Sequence, residues 1–85
     1  MDDLPKLPNI GPVLAGKLAE AGIKSYTDLA ALGSVRTLLK IRDAIDPGAC
    51  YSMLYALEGA IRGVRWHAIP RDERQRLKEE FDRLR

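Results

Sequence analysis

The sequence predicts an all-α fold, a small bundle of five or six short helices, and three observations carry that prediction. Cys50, Met53, Leu54, Leu57, Ile61 and Val64 recur at helical spacing and form one wide apolar stripe. Glycines and prolines divide the remainder into short pieces that each need a larger element to pack on. No segment reads as a strand, because apolar pairs such as Leu38-Leu39 fall inside helical periodicity.

Taken in order, Pro5 and Pro8 limit any helix before position 11 to about one turn, with Leu4 and Leu7 on its buried side. Asn9 and Gly11 are residue types that accept a left-handed backbone, and Ile10 between them is placed to enter the core. Pro12 suits the first position of a helix, where its missing N–H would have no intrahelical partner. That helix is predicted over 12–21 with Val13, Leu14 and Leu18 inward. Gly22 ends it in a left-handed conformation, and Ile23 folds back as an apolar plug.

Ser25 and Asp28 have the spacing of a capping pair, which starts a helix over 26–32 with Leu29 and Leu32 buried and Gly33 as its stop. Ser34 is the expected cap of a helix over 35–44, with Val35, Leu38, Leu39 and Ile45 inward. Asp46-Pro47-Gly48 is a turn. The stripe-bearing helix then covers 49–62 and Gly63 closes it. Residues 64–69 connect, and hold the only tryptophan. Pro70 opens a last helix over 71–84 with Leu77, Phe81 and Leu84 as its apolar stripe.

At 85 residues the chain is expected to be one domain, 1–85, with a thin core. No apolar run reaches about 18 residues, and the acidic Met1-Asp2-Asp3 is followed by no hydrophobic region, so neither a membrane span nor a signal peptide is expected. One cysteine makes no internal disulfide, which fits a cytoplasmic protein. The net charge of +2 is too small to imply a nucleic-acid partner by itself. It is unevenly placed: residues 1–33 sum to −1 and residues 34–85 to +3, so any basic surface lies in the second half.

No catalytic triad, zinc-ligand spacing, Walker loop or Rossmann fingerprint occurs. His67 is the only histidine, and a lone histidine makes neither a metal site nor a catalytic pair. The expectation is a protein without enzymatic activity, cofactor or metal.

Leu7-Pro8-Asn9-Ile10-Gly11-Pro12, followed by Glu20-Ala21-Gly22-Ile23, resembles a helix-hairpin-helix unit. Further pieces are Asp28-Leu29-x2-Leu32-Gly33, the run Leu54-Tyr55-Ala56-Leu57-Glu58-Gly59-Ala60, and Arg65-Trp66-His67 followed by Ile69-Pro70. With these, residues 4–80 resemble the C-terminal domain of the TfoX/Sxy family of competence regulators. The resemblance implies an all-α domain containing the hairpin unit and a role in regulating genes for DNA uptake. In that family the domain usually follows an α/β N-terminal domain. Met1 lies almost against the hairpin, so that domain is expected to be absent here.

The leading functional expectation is a non-catalytic regulatory module that docks a protein partner, with Tyr51, Tyr55 and Trp66 as candidate contacts. The alternative is sequence-independent DNA binding through the hairpin at 8–12, using Asn9, Gly11, Lys17, Arg62 and Arg65. Against it, Asn9 adds bulk where a phosphate would approach, Pro8 and Pro12 each lack an N–H, and Pro12-Val13 carry no positive charge. An architectural turn is the simpler reading of the hairpin.

Trp66 most simply plugs the end of the core. Cys50 reads as a small buried hydrophobe, and Glu58 with Arg62 as an ion pair along one helix. The mixed charges of the last helix read as a solvated face. Its apolar stripe needs cover from the chain's own core or from a second copy, so homodimerisation stays open.

Overall fold

A computed structural model of the chain describes residues 4–85, so the acidic Met1-Asp2-Asp3 start lies outside the described residues. A 3-10 turn (Leu4–Lys6) precedes helices α1 (Pro12–Glu20), α2 (Tyr26–Leu32), α3 (Ser34–Ala44) and α4 (Tyr51–Arg62). A second 3-10 turn (Trp66–Ala68) then leads to α5 (Arg71–Leu84), and no strand occurs among the described residues. The all-α expectation holds, with every predicted helix present.

Helix α4 is the central element, in contact with α2, α3, α5 and the second 3-10 turn. It fully buries Leu54, Leu57 and Ala60, which join Leu29, Leu38, Ile41 and Phe81 in one core cluster. Leu57→Ala would remove about 2–5 kcal/mol of packing, a large share of the stability of so small a protein. The buried line is narrower than the predicted stripe. Met53, Ile61 and Val64 are half-buried, and Cys50 lies outside the helix, exposed, as its extended N-cap residue. The helix begins at Tyr51 because the backbone at Cys50 has not yet turned, so its thiol is on the surface and not in the core.

Helix ends follow local chemistry. The Ser25 hydroxyl accepts from the Asp28 N–H at 3.1 Å, and Asp28 Oδ2 accepts from the Lys24 N–H at 3.2 Å. After α1 the Ile23 N–H donates to the Leu18 carbonyl at 2.8 Å and the Gly22 N–H to that of Ala19 at 3.0 Å. That paired closure needs the positive φ of Gly22. The same closure ends α4, where the Val64 N–H reaches the Gly59 carbonyl at 2.9 Å past a left-handed Gly63.

Four further expectations are corrected. Val13 is 75% exposed, because α1 turns Ala15 and Leu18 inward instead. Ser34 is the first residue of α3, not its cap; it is buried, and its hydroxyl donates to Glu58 Oε1 at 2.6 Å, tying α3 to α4. Of the hairpin pair only Asn9 is left-handed, at φ 69°, while Gly11 is extended. On α5, Phe81 is buried and Leu77 half-buried, but Leu84 at the last turn is 56% exposed.

Candidate partner-binding face

The site begins with a clasp. Asn9 Nδ2 donates to the Val64 carbonyl at 2.9 Å and to the Ala56 carbonyl at 3.4 Å, and the Trp66 N–H donates to Asn9 Oδ1 at 3.2 Å. One side chain from the hairpin thus fastens the chain reversal after α4 from more than forty residues away. Gly59 makes room for it. A Cβ there would stand 2.5 Å from Asn9 Nδ2, 2.7 Å from the Val64 carbonyl oxygen and 3.2 Å from the Trp66 nitrogen. Glycine is a poor choice inside a helix on conformational grounds; its presence in the Leu57-Glu58-Gly59-Ala60 run is explained by this close approach.

What the clasp positions is Trp66. The indole is half-buried, not an end plug, while Ile69 three residues on is 1% exposed. Trp66 stacks on Tyr55 of α4 with centroids 6.3 Å apart and planes at 22°, and on His67 at 4.1 Å and 27°. The Arg74 guanidinium lies over the indole at 5.6 Å from its centroid, a geometry in which the ring's negative face attracts the cation. Beside this row, Tyr55, Arg71, Arg74 and Gln75 line an open recess of about 240 Å³.

The candidate residues fall into two groups. Tyr55 and Trp66 come together as one surface. Tyr51 turns to α5: its hydroxyl donates to Asp82 Oδ1 at 2.7 Å, its ring meets Phe81 edge-on at 6.1 Å, and Lys78 lies over it. The Asp82 carboxylate holds the Tyr51 hydroxyl above the usual tyrosine pKa.

The five residues considered for nucleic acid are tied to separate parts of the fold. Asn9 is engaged in the clasp. Lys17 Nζ bonds Asp46 Oδ2 at 2.6 Å, at the turn between α3 and α4. That bond, with the Gly48 N–H, holds the Asp46 carboxyl below its ordinary value. Arg62 pairs with Glu58 at 2.8 Å, as its spacing predicted, and with Glu73 of α5 at 2.5 Å. Hydrogen bonds to Glu58 and then Glu73 raise its pKa further, so it bridges α4 and α5 as a cation. Gly11 precedes α1 without a side-chain cap, and Arg65 is exposed. In the sequence Arg71 and Arg74 fall within the interleaved charges of the last helix, which read as a solvated face, and Gln75 carries no signal there.

The sequence model of the TfoX C-terminal domain matches residues 1–81. The chain belongs to the TfoX C-terminal domain family. It is 37% identical over 81 residues to Protein Sxy of Escherichia coli strain K12, a match covering 95% of this chain and 38% of Sxy. The chain therefore spans well under half the length of that relative. Two crystal structures of Listeria monocytogenes proteins without an assigned function share the fold. One, in a triclinic form, is 43% identical with a TM-score of 0.88, covering 95% of this chain and 91% of that one. The other, in a tetragonal form, is 42% identical with a TM-score of 0.89, covering 98% and 100%. The TfoX C-terminal fold here thus contains the clasp as the means by which its hairpin reaches the Trp66 segment. Among the described residues no group of three or more His, Cys, Asp or Glu is placed to hold a metal, and no helix is long and apolar enough to cross a membrane.

Proposed function

We propose that this TfoX C-terminal domain is a non-catalytic module of competence regulation that acts by docking a protein partner on its Tyr55–Trp66 face. The observation that carries the reading is the stacked row Tyr55, Trp66 and His67 with Arg74 over the indole. Tryptophan, tyrosine and arginine are the residues most enriched where protein contacts concentrate their energy. Family membership supports the regulatory setting. The hairpin supports it less well as a phosphate cradle, since the Asn9 amide is engaged within the chain and Lys17 is paired.

The test is capture from native cell extract at moderate salt with the wild-type chain, Tyr55→Ala and Trp66→Ala, each first checked by thermal melting. The expected result is one protein retained stoichiometrically by the wild type and lost by Trp66→Ala. Retention of nothing across several growth conditions, or equal retention by all three chains, overturns the reading. Duplex and single-stranded DNA are titrated in parallel at low salt. Binding that falls steeply with added salt and is lost on Lys17→Ala would favour the hairpin instead.

A further inference from the structure

We propose that the recess beside Trp66 is a carboxylate-binding site, and that the docked partner presents an acidic peptide segment there. The inference rests on the reading of this face as a protein-docking surface and adds the chemistry of what docks.

Charge complementarity carries it. Arg71 and Arg74, with Tyr55 and Gln75, line the recess, and no acidic residue lines it. Elsewhere near α5 some arginines have a carboxylate: Arg62 has Glu58 and Glu73, Arg76 has Asp72, and Arg85 has Asp82. Among the described residues Arg36, Arg42, Arg65, Arg71, Arg74 and Arg83 have no ion-pair partner, and of these Arg71 and Arg74 are the two that share this recess. Arg74 is held over the indole with its Nε closed off from solvent, so the terminal nitrogens of the guanidinium are the ones left for a ligand. Gln75 Nε2 donates to Glu79 at 3.3 Å, one turn further along α5, so Glu79 is the nearest carboxylate shown to engage a lining residue. A guanidinium lacking an acceptor favours an incoming carboxylate, which it binds through two parallel N–H bonds. The adjoining rings supply apolar contact that excludes water around the ion pair. The recess is small and open, which suits single side chains on a strand of peptide and not a large enclosed ligand.

Trp66 is the only tryptophan, so the chain reports on this face through its own fluorescence. The 85-residue chain is titrated with a short oligo-glutamate peptide, with a single-stranded oligonucleotide of equal charge, and with inorganic phosphate. The same titrations are run on R71A/R74A and on R83A, which removes an exposed arginine of α5 outside the recess. The expected result is a saturable change in Trp66 emission with the peptide, weakened about tenfold or more in R71A/R74A, the scale of a lost charge-assisted hydrogen bond. R83A should titrate as wild type. No change with the peptide, or an equal change in R71A/R74A, overturns the proposal. Tighter binding of the oligonucleotide than of the peptide through the same two arginines also overturns it and assigns the recess to nucleic acid. If R71A/R74A unfolds, Arg74→Gln and Arg71→Gln taken singly replace it, and an unchanged affinity in both is again a refutation. A peptide that fails to bind while Trp66→Ala still loses the captured protein would sink the carboxylate assignment alone and leave the docking face standing.

Discussion

The hairpin at residues 8–12 and the face around Trp66 both set polar groups beside the start of a helix, and they use them in opposite directions. At the hairpin the polar groups turn inward. The Asn9 amide bonds three backbone groups of the α4 exit, and nearby Lys17 is neutralised by Asp46. At the Trp66 face they turn outward, with Arg71 and Arg74 meeting no carboxylate. In a chain this small the apolar core is too thin to fix every segment, so a polar side chain reaching across more than forty residues takes over part of that work. A hairpin that resembles a phosphate-contact motif serves here as a fastening, and the face we propose for docking is the one it fastens.

The largest expected effect tests the inward half of this contrast. Gly59→Ala drives a methyl group into Asn9 Nδ2 and two backbone atoms, and backbone yields less readily than a flexible side chain. A loss of about 3 kcal/mol or more is expected, read as a fall of about 15 °C in melting temperature. Gly16→Ala on α1 is the control, since Gly16 is exposed and a Cβ there meets nothing within 4 Å. It should gain up to about 1 kcal/mol from helix propensity. If the two variants melt alike, the clasp is not formed in solution.

Asn9 comes next. Asn9→Ala removes the amide and leaves a non-glycine residue at φ 69°, while Asn9→Gly removes the amide without that strain. Losing the amide orphans the Trp66 N–H and the Val64 carbonyl, both half-buried, at about 1–3 kcal/mol. The left-handed backbone adds about 1–2 kcal/mol in the alanine variant alone. Chemical denaturation of both variants separates the two contributions. Equal stability of Asn9→Ala and wild type would remove the hairpin's structural role and restore it as a ligand site.

The helices were legible in the sequence because their signals are local. Gly22, Gly33, Gly63, Pro12 and the Ser25–Asp28 pair mark ends whose chemistry involves only neighbours in the chain. The clasp was not legible, because the Asn9–Gly59 approach joins positions fifty residues apart and neither residue type announces the other. Cys50 and Val13 were misplaced for a related reason: periodicity gives the spacing of a stripe but not the residue at which the helix starts or the rotation it finally adopts. The open arginines did leave a trace. Arg76 has Asp72 four positions before it and pairs with it. Arg71 and Arg74 have no acidic residue three or four positions away in either direction along α5. Helical spacing alone therefore sets them apart, and reading the mixed charges of α5 as one solvated face conceals it.

Arg62→Ala probes the boundary between the two regions, because Arg62 ties α4 to α5 through Glu58 and Glu73. The pairs are partly exposed, so a cost of about 1 kcal/mol or less is expected, shrinking as salt is raised. A larger, salt-independent loss would mean that α5, and with it the arginine recess, is held mainly by charge and not by Phe81.

The smallest effect concerns Asp46, and its sign follows from linkage. The Lys17 hydrogen bond lowers the Asp46 pKa in the folded chain below its ordinary 3.8. A depressed carboxyl stabilises the fold fully above the unfolded value and loses that contribution as pH falls through the folded one. Asp46→Asn should therefore be slightly less stable than wild type at neutral pH, with the gap closing as pH drops below 3.8. Denaturant midpoints measured from pH 7 to pH 2 would show this convergence, and added salt should narrow the gap at neutral pH, since the pair is only partly buried. A gap independent of pH would mean that Lys17 is not held by Asp46. The cation beside the hairpin would then lack a carboxylate, as Arg71 and Arg74 do, and the contrast between the two regions would lose one of its supports.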